Sequence, residues 1–203
     1  MPKKHIDLTP TPRIIGVLGK IPLAGWQCIA ELLDNSLDAM IKKQDLDSGE
    51  KNEIRITLPS GGEIDKNKAL VIRDNGVGMT ESQLTAALTA GLSGKTSDGD
   101  LGLFGMGFNI ATSRLAQSTT VWTSTKDLDH DIGININIPE MIKTRSFKRE
   151  LLIQNNSETS PKGKHGTTIE IKNYYPDAKS LLNRPTLIRS LKSVYSSVIK
   201  DKY

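Results

Sequence analysis

The sequence predicts an α+β fold: a two-layer sandwich with helices on one face of a mixed, largely antiparallel sheet. Three observations carry this expectation. A long amphipathic run lies near the start of the chain, short alternating runs gather late in it, and neighbouring late runs such as 119–125 and 131–138 are joined by connections too short to hold a crossover helix. With 203 residues, 36% apolar and 25% charged, the chain can bury one sizeable core, so residues 1–203 read as a single domain.

Prolines at 10, 12 and 22 interrupt the N-terminal segment 1–24 and leave room only for a short helix over 13–18. From Trp26 to Ile41, apolar residues at 26, 29, 30, 33, 37, 40 and 41 recur at helical spacing with no glycine or proline inside the run. This predicts a helix. Two strand-like runs follow, 53–58 and 69–74, joined through the polar Gly61-Gly62 region. Thr80, with Gln83 at the capping-box position, starts a helix reaching about Ala90. Between Gly91 and Gly107 six glycines stand among Ser, Thr and Asp, a density that suits a functional loop better than a regular element. A helix over 108–116 comes next, with strands at 119–125, 131–138, 149–154 and 167–172. The C-terminal segment 178–203 carries one amphipathic helix over 185–199, built on Leu187, Leu191, Val194, Tyr195 and Val198.

Composition narrows the function classes. Lys and Arg number 27 against 23 acidic residues, giving a net charge of +4, which is mildly basic and far from a saturated nucleic-acid-binding surface. The lone cysteine, Cys28, sits in an apolar helical stretch, so a disulfide framework and a multi-cysteine zinc site are both excluded. His5, His130 and His165 share no metal-ligand spacing, and His165 reads as a loop residue. The first residues lack a signal-peptide core and no stretch is long and apolar enough to span a membrane. A cytoplasmic protein is the expectation.

Three segments carry chemistry-bearing residues. Glu31, Asn35 and Asp38 are spaced by four and three residues, so a helix presents all three on one face; the spacing alone equally suits a solvated surface. Asp74, at the end of a buried strand run, opens the turn Asp74-Asn75-Gly76-Val77-Gly78-Met79, whose glycines let backbone approach a flat ligand. A strand-end aspartate there can accept from an exocyclic amine. Gly102-Leu103-Phe104-Gly105-Met106-Gly107 leads into a helix at Phe108, an arrangement that aims backbone N–H groups at an anion.

Taken together and in order, Glu31-Leu-Leu-Asp-Asn35-Ser-Leu-Asp38-Ala, the Asp74 turn, the glycine loop and Gly166-Thr167 resemble the four signature boxes of the GHKL ATPases, with the Bergerat fold. The likeness runs from about Trp26 to Lys172, and within the family it is nearest in character to MORC-like and MutL-like N-terminal ATPase domains. The resemblance implies Asn35 as the Mg²⁺ ligand, Glu31 as the residue that orients or deprotonates the attacking water, and Asp74 as acceptor for the adenine amino group, supported by Thr167 or Thr168. It makes 91–107 an ATP lid in which Gly105, Met106, Gly107 and Phe108 offer N–H groups to phosphate and Lys95 reaches one as well. Met79, Leu103 and Ile110 become apolar walls, and Asp38 either contacts the adenosine side or braces the helix.

The reading that follows is Mg-dependent ATP hydrolysis driving a conformational or homodimerisation cycle in a DNA-associated machine. A histidine-kinase-type ATP-binding domain is the alternative, weakened by Glu31, whose position is typically Asn in such kinases. An ATP-sensing interaction module with little turnover is the third. A chain ending one helix after the Gly-Thr box reads as the N-terminal part of a longer protein, with DNA or other subunits engaged by regions outside it.

Overall fold

The computed structural model describes residues 6, 10–44, 51–89, 106–155 and 165–199. Two helices open it, α1 (Arg13–Leu18) and α2 (Gly25–Gln44). The α2 apolar stripe buries Cys28, Ile29, Leu32, Leu33 and Met40, while Lys42 and Lys43 fall in its last turn, where the helix dipole favours cations. Strand β1 (Ile54–Thr57), helix α3 (Gly61–Asp65) and strand β2 (Leu70–Asp74) follow. Helix α4 (Glu81–Thr89) begins at the expected capping box, with the Thr80 N–H donating to Gln83 Oε1 at 2.9 Å and the Gln83 N–H to Thr80 Oγ1 at 3.4 Å. Beyond the glycine loop lie α5 (Gly107–Leu115), β3 (Ala116–Ser124), β4 (His130–Asn137), α6 (Ile138–Thr144), β5 (Leu152–Asn155) and β6 (Gly166–Tyr174). Three short helices close the chain: α7 (Ala178–Leu181), α8 (Arg184–Val194) and α9 (Ser196–Ile199).

The strands form one six-stranded sheet in the order β1-β2-β6-β3-β4-β5. The architecture is α+β as expected, but every ladder among the described residues is antiparallel, so the sheet is not mixed. Strand β6 inserts between β2 and β3. This late insertion brings Gly166-Thr167 beside the end of β2, where Asp74 lies.

Alternation divides the sheet into two unlike faces. Leu70 and Ile72 pair with Ile171 and Ile169, which pair in turn with Thr119 and Val121, and all six lie on the helix-covered face with 5% exposure or less. They pack against Cys28, Ile29 and Leu32 of α2 and Ala111 and Leu115 of α5, while Leu84 and Leu88 of α4 cover Val121 and Ile132. Each of these aliphatic side chains contributes about 1.5–3 kcal/mol by leaving water. The opposite face carries Arg73, Thr168, Glu170, Thr120, Asn135 and Trp122. There the Trp122 ring lies over Gly133, where an added Cβ would stand 2.4 Å from Cε3.

Four differences from the sequence expectations have local causes. The Gly61-Gly62 connector is the helix α3, held by a capping box in which the Ser60 N–H donates to Glu63 Oε2 at 2.9 Å. The run expected to continue as strand through Ile138 turns into α6, because Asn137 accepts from the Glu140 N–H at 3.2 Å and Pro139 suits a first helical turn. Strand β5 begins only at Leu152, since Arg149 is held by Glu140 Oε1 at 2.9 Å and the Ser146 carbonyl at 3.0 Å.

The helix expected over 185–199 is two pieces, α8 and α9, and α8 ends as Tyr195 turns inward to 8% exposure. The Tyr195 hydroxyl donates to Asp34 Oδ1 at 2.7 Å, with the Ala30 carbonyl at 3.1 Å as its alternative acceptor. Burial, and then donation to Asp34, push the phenol well above its ordinary value. Tyr195→Phe should therefore lower stability by about 1–2 kcal/mol, read as a fall in urea midpoint at unchanged m-value.

Candidate functional site

Helix α2 has two sides with different tasks. Leu32, Leu33 and Ser36 face the core, whereas Glu31 and Asn35 are exposed and Asp38 is half-buried. Asp34, adjacent in sequence to Asn35, belongs to neither group, because it is spent on Tyr195.

The Glu31 carboxylate reaches the start of α5. A Cβ added to Gly107 would lie 2.1 Å from Glu31 Oε2, so the space that a larger residue would fill is occupied by the carboxylate. Met106 leads into that helix and caps it with no side-chain hydrogen bond. The positive end of α5 thus stands beside the Glu31 carboxylate.

Asp74 forms a second focus. It is 6% exposed, at the end of β2. Its Oδ1 accepts from the Gly76 N–H at 2.9 Å and the Thr167 N–H at 3.1 Å, and its Oδ2 accepts from the Ser36 hydroxyl at 3.0 Å. Three separate stretches of sequence, on α2, β2 and β6, therefore meet on one carboxylate. Burial raises its pKa, opposed by these three hydrogen bonds and by the neighbouring His165. Oδ2 accepts only from Ser36 among the described residues, so it retains acceptor capacity for an amine.

The turn after Asp74 is fixed at several points. Gly78 has φ +69, and an added Cβ would stand 1.9 Å from the Ser124 carbonyl oxygen, so both conformation and space demand glycine. The Met79 N–H donates to Thr123 Oγ1 at 2.9 Å, and that hydroxyl also lies 3.1 Å from the Gly166 carbonyl and 3.2 Å from Thr167 Oγ1. Met79 itself, half-buried, packs with Phe108 against Leu84, Leu88, Val121 and Ile132. Ile110 is half-buried on α5.

Both threonines border Asp74. Thr168 pairs with Arg73 and Trp122 and lines with them a hollow of about 60 Å³ that also reaches Asp74, Thr123, His165 and Gly166. Alternation along β6 turns the two side chains to opposite faces of the sheet, so Thr167 meets Asp74 through its backbone N–H while Thr168 borders Asp74 from the hollow. Lys95, Gly102, Leu103, Phe104 and Gly105 lie outside the described residues.

Four residues escaped the sequence reading. Ser36 is the donor to Asp74, Thr123 ties the turn to β6, His165 Nδ1 contacts the Gly76 carbonyl, and Lys43 Nζ donates to the Asn75 carbonyl at 3.0 Å. Ser36 alone had a signal, its place inside the Asn35-to-Asp38 box.

Residues 24–167 match the family model of the histidine kinase-, DNA gyrase B-, and HSP90-like ATPases. The chain is 31% identical over 112 residues to Protein MICRORCHIDIA 5 of Arabidopsis thaliana and 34% identical over 95 residues to Protein MICRORCHIDIA 1 of the same plant. Those alignments cover 55% and 47% of this chain and 14% of each relative, so the chain spans a small part of the proteins it matches. No described helix is long and apolar enough to cross a membrane.

The burial of Asp74 has a measurable consequence. Its folded-state pKa is raised, so its contribution to stability is fully present below the ordinary value of 3.8 and is lost as pH rises through the higher folded value. Asn at this position keeps an oxygen for the two N–H donors. Asp74→Asn should therefore gain in Tm relative to wild type as pH rises above 3.8, and a constant difference across pH would contradict the assignment.

Proposed function

From the chain's membership of this ATP-binding family, which the family-model match shows, we propose that it binds ATP with Mg²⁺ and hydrolyses it, with Glu31 directing the attacking water. The observation that carries this reading is the Glu31 carboxylate set against Gly107 at the N-terminus of α5, one helical turn from Asn35.

Each residue has a task suited to its chemistry. Asp74 accepts from the adenine amino group through the capacity left on Oδ2, and Thr167 supports that contact while its own N–H holds Oδ1. The glycines at 76 and 78 bring backbone close to the base, beside Met79. Met106, Gly107 and Phe108 offer N–H groups and the helix dipole to the phosphates, joined by the glycine loop with Lys95. Glu31 orients the water and takes its proton. The exposed amide oxygen of Asn35, a hard donor one turn from Glu31, fits Mg²⁺, and Asn35 would hold it. When bound, the ion neutralises phosphate charge and makes phosphorus a better electrophile. Asp38, half-buried on the same helix face, braces the adenosine side.

The larger cycle is proposed on the resemblance to MORC and MutL proteins and on the two MICRORCHIDIA matches. ATP closes the lid, promotes a homodimer in the cytoplasm or wherever its DNA-associated partners reside, and hydrolysis resets it. Size measurement with and without a non-hydrolysable analogue tests the dimer; no change in mass would remove that part. Weakening of DNA binding as salt rises tests the nucleic-acid partner.

Turnover separates the roles of the residues. Glu31→Ala should keep ATP binding and lose about 10²–10⁴-fold in phosphate release, whereas Asp74→Asn should stay folded and lose ATP binding. Gly107→Ala should leave Tm within a few degrees while displacing the carboxylate, and so reduce turnover at unchanged Asp74 contacts. Equal phosphate release by wild type and Glu31→Ala would eliminate Glu31 as the base.

A further inference from the structure

Lysine is among the residues least often fully buried, yet Lys43 is 1% exposed. It lies at the C-terminal end of α2, two turns beyond Asn35. There its Nζ donates to the Asn75 carbonyl at 3.0 Å. The next carbonyl, that of Gly76, is contacted by His165 Nδ1. The Asn75 side chain is held as well: Oδ1 accepts from the Glu53 N–H at 2.8 Å and Nδ2 donates to the Lys51 carbonyl at 2.8 Å. Successive peptide groups of one turn are thus gripped from α2, from the segment before β1 and from the start of β6.

We infer that Lys43 is a positioning residue: through the Asn75 carbonyl it locks the Asp74–Gly78 turn in the conformation that recognises the base of the nucleotide. This rests on the reading of Asp74 as the adenine acceptor. A carbonyl gripped by a buried amine cannot rotate away without losing that donor, a costly outcome in a dry interior. The peptide joining Asn75 to Gly76 is therefore fixed, and the Gly76 N–H at its other end stays aimed at Asp74 Oδ1. That N–H sets the carboxylate rotation, and the rotation decides where Oδ2 points. Lys43 acts on base recognition alone, because Glu31 and the start of α5 meet at the other end of α2.

The test compares ligands with and without a base on the full chain. Lys43→Met should weaken ATP binding on the order of tenfold, the loss expected for one buried hydrogen bond to a positioning group, and leave tripolyphosphate binding unchanged. It should raise KM for ATP with little change in kcat. Lys43→Arg, which keeps a donor, should recover most of the ATP affinity. Equal weakening of ATP and tripolyphosphate, or ATP affinity at the wild-type level in Lys43→Met, would overturn the inference. A wild-type measurement stands even if Lys43→Met fails to fold: without nucleotide, the Gly76 amide should exchange with solvent deuterium as slowly as the β2 amides, and exchange at the rate of an open loop would refute the lock. Failure of the underlying reading has a different signature, in which Asp74→Asn binds ATP as well as wild type does.

Discussion

One buried carboxylate organises this molecule. Asp74 stands where β2 ends, and the hydroxyl of Ser36 and the backbone N–H groups of Gly76 and Thr167 converge on it. An aspartate so placed is costly to bury unless each contact is made, and making them fixes the relation of α2 to β2 and of β2 to β6. The strand order follows the same requirement. Only with β6 between β2 and β3 can the Thr167 N–H reach a residue 93 positions earlier. The core then fills the space this arrangement leaves, with α2 and α5 lying on Leu70, Ile72, Ile169 and Ile171.

The two faces of the sheet carry separate consequences of period-two alternation. The helix-side face is aliphatic and holds the layers together, whereas the far face is polar, with Trp122 laid over Gly133 in place of a packed layer. The candidate site lies at neither face. It lies at one end of the sheet, where β2 and β6 terminate, and at the N-terminus of α5, because backbone groups not used in ladders are found there.

Much of this was legible in the sequence because it is local. The 26–41 stripe lies within α2, Thr80 and Gln83 cap α4, and Glu31 and Asn35 are exposed on α2 with Asp38 half-buried. The ordered motifs pointed to an ATPase family before any contact was known, and residues 24–167 bear that out. What escaped depends on pairing between distant residues. Whether Thr167 or Thr168 lines the hollow is a matter of one residue in strand phase, set by Thr168 opposing Arg73, and the letters Thr-Thr carry no sign of it. Lys43 and His165 look like solvated residues in sequence; each becomes informative only through a turn 32 or 89 residues away. The helix α6 was missed differently, since Asn137 and Pro139 announce a start that the preceding strand pattern obscured.

The bond from Tyr195 to α2 places the last described helices in a mechanical relation to the site. Asp34 and Ala30, which its hydroxyl contacts, flank Glu31 on either side along the helix. Through Tyr195, helix α8 is tied to the helix that carries Glu31 and Asn35, at a point within a single turn of both side chains.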